Sequence, residues 1–276
     1  MSLKTASTII IAAFSGWNDA AESASDAVDF LLDSWDGHVA TELPSDDFYD
    51  YSYSRPEAVL GAHNAREIDW PGTTVFHAHG HPLGQREVYI VQGVEPNFRW
   101  KSFCEQILAA IPHHGNAVLV TLGAMLADVP HTRAIPVQGT TSNPGLQEST
   151  GYEASRYEGP TGIVGVLSHT ADQAGIPGVA LWAAVPHYVA HPPNPKATLA
   201  LLRALEDLLD CTLSLEDVTE DARAWQHGVE ELAAEDEEVA EYVRNLEETQ
   251  DTAELPEATG EAIAREFERY LRRRER

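Results

Sequence analysis

Between Asp128 and Pro136 the chain reads Asp-Val-Pro-His-Thr-Arg-Ala-Ile-Pro. His131 offers a proton carrier and Thr132 a hydroxyl. Arg133 offers a planar cation that can hold a carboxylate or phosphate through two parallel hydrogen bonds. Two other short segments mix the same residue types. Phe14-Ser15-Gly16-Trp17-Asn18-Asp19 stands before an expected helix, so Gly16, Trp17, Asn18 and Asp19 could hold an anion on free backbone N–H groups. Trp182-Ala183-Ala184-Val185-Pro186-His187-Tyr188 supplies a second proton carrier, His187. Gly159-Pro160-Thr161-Gly162 is a further glycine-containing helix entry, with Gly159 and Thr161 as its ligand candidates. On an enzymatic reading, Arg133 would hold a small anionic or nucleoside-like ligand while His131 or His187 moves protons.

Each set also has a structural reading. Asp128 can neutralise Arg133 inside a proline-braced loop. Ordinary helix capping with a packed Trp17 accounts for the second segment, which lacks both Gly-x-Gly-x-x-Gly and the Walker pattern. Ser15, His187 and Asp128 can be drawn as a triad, but no Gly-x-Ser-x-Gly elbow exists. His77, His79 and His81 alternate and would share one strand face, where three imidazoles can bind zinc. No carboxylate or cysteine accompanies them at ligand spacing and Pro82 follows, so they read as strand-edge or loop histidines. Cys104 falls inside an expected helix and reads as core. No metal or cofactor is therefore assigned, and the balance tilts away from an enzyme.

The elements that must position these residues follow from hydrophobic patterning. The apolar run 8–14 reads as a strand buried on both faces. Ser15-Gly16 turns the chain, and Asn18 or Asp19 can cap a helix over 20–32. Gly37 ends that helix before a strand over 38–43, giving a β-α-β opening with a right-handed crossover if the strands are parallel. Residues 44–72 read as irregular, acidic and aromatic. Strands are expected over 73–78 and 87–92. A helix is expected from Glu95 to about 110, with Phe98, Phe103, Ile107 and Ala110 on its apolar side. A strand over 117–121 is expected to break at Gly123, opening a loop to Pro136. Residues 140–157 read as a long loop. A helix over 163–174, a strand over 176–183 and a helix over 196–209 with Pro195 in its first turn complete the series. In an open α/β sheet the segments past the carboxyl ends of the strands gather ligand or partner contacts. The three chemical segments should therefore share one rim.

The chain has 276 residues, of which 43% are apolar, enough for a substantial core. Its 18 Lys and Arg against 44 Asp and Glu leave a net charge of −26, which repels nucleic acid and favours basic partners. Two distant cysteines, Cys104 and Cys211, fit a reducing cytoplasm rather than a disulfide framework. The apolar run near the N-terminus is too short for a signal peptide, and no run approaches a membrane span. After residue 210 acids dominate. Val218, Ala222, Trp225 and Val229, then Val239, Tyr242, Val243 and Leu246, recur at helical spacing. We expect an α/β domain over 1–210 and an acidic helical extension over 211–276, ending in an arginine-rich helix over 258–276.

Several of these stretches together resemble one family. Phe14 to Ala20, Gly93-Val94-Glu95-Pro96, Leu122-Gly123-Ala124 with Asp128 to Arg133, Tyr157 to Gly162, Trp182 to Tyr188 and Pro195-Lys196-Ala197 are similar to the PAC2 (proteasome assembly chaperone 2) family. The acidic tail, with Tyr242-Val243-Arg244 and Leu246-Glu247, resembles its actinobacterial branch. The resemblance implies a three-layer phosphorylase/hydrolase-like α/β fold with a central mostly parallel or mixed sheet. It also implies a homo-oligomer, taken as a trimer, and a non-enzymatic assembly or interaction role with proteasome subunits as partners. Some relatives carry a C-terminal hydrophobic-Tyr-any tripeptide that docks in proteasome pockets. This chain closes on Arg274-Glu275-Arg276 and departs from that pattern. The alternative is an enzyme on the phosphorylase-like scaffold.

Overall fold

The structure is a computed structural model that describes residues 3–61, 64–112 and 115–254. One mixed sheet holds seven strands. In spatial order they are β2 (Gly37–Glu42), β5 (Thr73–Ala78), β6 (Glu87–Val94), β1 (Thr8–Ser15), β7 (Ala117–Ala127), β9 (Gly178–Pro186) and β8 (Val137–Thr140). The middle strands β6, β1, β7 and β9 are mutually parallel. On the flanks, β5 runs antiparallel to β6, β2 antiparallel to β5 and β8 antiparallel to β9.

In β1, Ile9, Ile11 and Ala13 enter one core while Ile10, Ala12 and Phe14 enter the other. Both faces are covered, so the strand reads as an unbroken apolar run. Helices α1 (Ser23–Ser34) and α5 (Pro195–Leu209) pack on the first face, α2 (Trp100–Ala110) and α4 (Ile163–Gln173) on the second. The expected three-layer α/β architecture is the one observed.

Several local expectations differ. Gly123 does not break β7, which runs on to Ala127 beside β9. Its missing side chain instead admits the indole of its strand partner Trp182, because a Cβ there would lie 2.7 Å from that ring. Strand β2 follows the direction of β1 but is separated from it by β5 and β6, at the sheet edge. Residues 44–72 include an antiparallel hairpin, β3 (Glu57–Leu60) with β4 (Arg66–Asp69), exposed throughout and hence without an alternating pattern. Helix α2 begins at Trp100, not Glu95. The Asn97 and Phe98 N–H groups donate to the Phe48 carbonyl at 2.9 and 3.0 Å, and Phe98 is 50% exposed. The loop expected over 140–157 contains α3 (Pro144–Thr150), capped by Asn143 Oδ1 at 3.0 Å from the Gly145 N–H.

Beyond α5 come α6 (Glu216–Ala234) and α7 (Glu237–Glu254). Leu213, Leu215 and Ala222 join the α1/α5 core, and Val243 and Leu246 are the buried points of α7. The helix expected over 258–276 lies outside the described residues.

Candidate functional site

Because β6, β1, β7 and β9 are parallel, their carboxyl ends place the three chemical segments, and Glu95, on one rim. An Ala124 N–H to Asn18 carbonyl bond of 2.8 Å ties β7 to the end of β1. Two polar nodes result.

At the first node Glu95 is central. Its Oε1 accepts from Asn18 Nδ2 at 2.7 Å and from the Ile163 N–H at 2.8 Å. The Glu95 carboxylate thus sits on the N-terminus of α4, where the helix dipole and free N–H groups favour an anion. Gly162 permits this, since a Cβ there would stand 2.2 Å from Asn18 Oδ1. Asp19 Oδ1 accepts from the Ala24 N–H at 2.6 Å and so caps α1 across Ala21 and Glu22, both left-handed at φ 53° and 57°. Burial raises the pKa of Asp19. One turn on, Asp26 is pushed up to about 6 by burial and by the charges of Asp19, Glu22 and Asp29. Asn18 and Asp19 are buried, whereas Gly16, Trp17, Gly159 and Thr161 are exposed, with Trp17 66% exposed.

The second node joins the 128–133 loop, the turn His187–Val189, α5 and α7. His131 is 1% exposed. The Tyr188 hydroxyl accepts from the His131 N–H at 2.7 Å and lies 2.8 Å from its Nδ1. Lys196 Nζ donates to the His131 carbonyl and, at 2.7 Å, to Gln226 Oε1 of α6. Burial holds Lys196 at about 8, lowers His131 and lifts the Tyr188 hydroxyl to about 12. Asp128 does not neutralise Arg133. Its Oδ1 instead lies 3.1 Å from His187 Nδ1 and accepts from the Tyr242 hydroxyl at 3.4 Å. The charge on Arg133 is answered from α7. Arg133 Nε and Nη2 donate to both Asp251 oxygens at 2.9 and 2.8 Å, and Nη1 donates to Glu247 at 3.1 Å. Thr132 donates to the same Glu247 oxygen.

The structure therefore gathers His131, Arg133 and His187 on one node, with the donors of Arg133 engaged by the chain's own acids. Ser15 stands apart in role, its hydroxyl donating to the Gly93 carbonyl at 3.5 Å.

The sequence profile of the PAC2 family matches residues 13–233. The chain belongs to the PAC2 family. Among solved structures, it is 49% identical to a PAC2 family protein from Streptomyces avermitilis, with a TM-score of 0.79 over 86% of this chain and 99% of that one. It is 47% identical to a proteasome-assembly chaperone homologue from Mycobacterium tuberculosis, with a TM-score of 0.76 over 85% and 99%. PbaB, an archaeal proteasome activator from Pyrococcus furiosus, shares the fold at 15% identity, with a TM-score of 0.65 over 83% and 94%. Among curated proteins, none matches the chain.

Within this PAC2 chain the family match stops at residue 233, just before α7. The residues that α7 grips, Asp128, Thr132 and Arg133, lie inside it. Reasoning from sequence missed Glu95, Tyr188, Lys196, Glu247 and Asp251 as site residues. The i, i+4 spacing of Glu247 and Asp251 was the available signal for a paired carboxylate face. Elsewhere, His77 bonds Glu87 at 2.7 Å and stacks on Tyr89, with His79 4.2 Å from it ring to ring and His81 edge-on to Trp35. Among the described residues no His, Cys, Asp and Glu group is placed to hold a metal ion, and no helix is long and apolar enough to cross a membrane. Cys104 is buried, and burial lifts its thiol to about 12. A surface depression of about 440 Å³ beside α3, lined by Gln147, Tyr152 and Arg156 among others, includes none of the rim candidates.

Proposed function

We propose that this PAC2 protein is a non-enzymatic, proteasome-related assembly or interaction factor, working as a homo-oligomer in the cytoplasm. The observation that carries the reading is that both anion-holding features of the rim are filled from within. Glu95 occupies the N-terminus of α4, and Asp251 with Glu247 occupies Arg133. An enzyme needs such donors free and aimed at a substrate. Exposed Trp17 and Phe98 follow β1 and β6, exposed Met125 and Leu126 lie in the last residues of β7, and large apolar side chains standing in water suit a protein-binding surface. The proteasome connection rests on likeness to relatives, one a proteasome-assembly chaperone homologue at 47% identity.

A second reading keeps one specific support. His131, Arg133 and His187 converge on a single node, as an enzyme acting on a small anionic or nucleoside-like ligand would require. Affinity capture from lysate of the source organism, at low and moderate salt with mass spectrometry, separates the two. Stoichiometric recovery of proteasome α-subunits supports the assembly reading. Recovery of the protein alone, together with thermal stabilisation by a metabolite of the anionic class, supports the enzyme.

A further inference from the structure

In a chain of net charge −26, Arg133, Lys196, His131 and His187 crowd into one stretch of rim. α7 lies across this stretch. Of its 18 residues, Glu237, Glu238, Glu241, Glu247, Glu248, Asp251 and Glu254 are acidic and only Arg244 is basic. A helix of that length and charge is marginal alone and draws its stability from what it docks on. Its apolar hold is slight, with Val243 and Leu246 the buried side chains among its described residues. Its specific hold is polar. Glu247 and Asp251, one turn apart, meet Thr132 and the guanidinium of Arg133, while Tyr242 reaches Asp128. The gripped residues lie within the family match and α7 lies beyond it.

We propose that the rim around Thr132, Arg133 and His187 is a binding site for an acidic helical segment of a partner protein bearing two carboxylates four residues apart, and that α7 occupies this site in cis as a built-in competitor. The bound form of the ligand is already on display, since α7 itself presents that carboxylate pair to a bidentate clamp. Charge favours the ligand: Arg133 and Lys196 stand together at this rim, with Asp128 and Glu230 beside them, and a paired carboxylate face supplies the counter-charge that the guanidinium takes from α7. Release of α7 would expose the clamp and free an acidic helix in one step. The inference rests on the interaction-protein reading only in taking the ligand to be a protein segment.

The test uses the full chain and a fluorescein-labelled synthetic peptide of residues 237–254, followed by anisotropy. A tethered competitor acts at an effective concentration near the millimolar range, so weakening it should show clearly. The full-length Glu247→Gln/Asp251→Asn variant should bind the peptide about tenfold or more tighter than the natural chain. Adding Arg133→Gln to that variant should abolish the gain, as should a peptide with Gln and Asn at the two positions. Hydrogen exchange should show α7 released in the variant while β1 and β7 stay protected. Equal peptide affinity for variant and natural chain, binding indifferent to Arg133→Gln, or an α7 that stays protected in the variant would each overturn the proposal. So would a natural chain whose α7 is exchanged with a second copy in a stable dimer. These results are independent of proteasome capture, so either reading can fail while the other stands.

Discussion

The guanidinium of Arg133 meets the carboxylate of Asp251 edge to edge, with Nε 2.9 Å from Oδ1 and Nη2 2.8 Å from Oδ2, across 118 residues of chain. The pairing raises the pKa of Arg133 and lowers that of Asp251, each mainly through their shared hydrogen bonds. A lysine keeps the charge but cannot make the fork. Arg133→Lys should therefore speed amide exchange across α7 several-fold and leave the central strands unchanged. Unaltered exchange in 237–254 would mean that charge alone, or apolar packing, holds the helix.

Tyr188 is the keystone of the second node, since its one hydroxyl meets both the backbone and the ring of His131. Tyr188→Phe leaves the buried His131 N–H without an acceptor, at a cost of about 1–3 kcal/mol in denaturant unfolding. His131→Ala should cost about 2–4 kcal/mol, because it empties a buried ring's volume as well. A fully stable, normally assembled His131→Ala would show that the loop is not a structural junction.

Asp26 gives the fold a pH signature. Its folded pKa, about 6, lies above the ordinary carboxylate value of 3.8. The folded state therefore holds the proton longer than the unfolded state, and this group's contribution to stability falls as pH rises from about 4 to about 6. The side chain is half-buried, and solvent screening reduces the effect at neutral pH to about 1 kcal/mol. Asp26→Asn should stabilise the chain by that amount at pH 7 and have no effect through this group below pH 4. Equal unfolding midpoints at pH 7 would contradict the cause assigned.

Two glycines are required by close approach rather than by turns. Gly123→Ala would press a methyl into the Trp182 ring, and Gly162→Ala would press one into the Asn18 amide. Each should lower stability by about 1–3 kcal/mol, measured by thermal or denaturant unfolding. Truncating Trp182 alongside Gly123→Ala should relieve the clash at the first site, a non-additivity that a double-mutant cycle reads directly.

Strands such as 73–78 were legible because their patterning and boundaries act locally. The common rim was legible too, since parallel strands put their carboxyl ends on one side. What stayed hidden depends on distant partners. Gly123 resembles a strand breaker until Trp182 is placed beside it. The β3–β4 hairpin buries neither face, so it leaves no alternation to read. α3 spans only seven residues, too few for a helical period to declare itself. At the site, Asp128 was the nearest acid to Arg133 in sequence, yet it faces His187, while the true partners lie 114 and 118 residues away. Glu95, expected within a helix, proved instead to be the anion on another helix's N-terminus.

The central claim is that the protein assists proteasome assembly rather than catalysing a reaction. It is tested most directly by mixing separately purified proteasome α- and β-subunits of the source organism, with and without the full chain, and following core-particle formation on native gels. The account predicts faster formation in its presence and an early complex containing the protein and α-subunits. An unchanged rate, with no such complex at any time point, would contradict it.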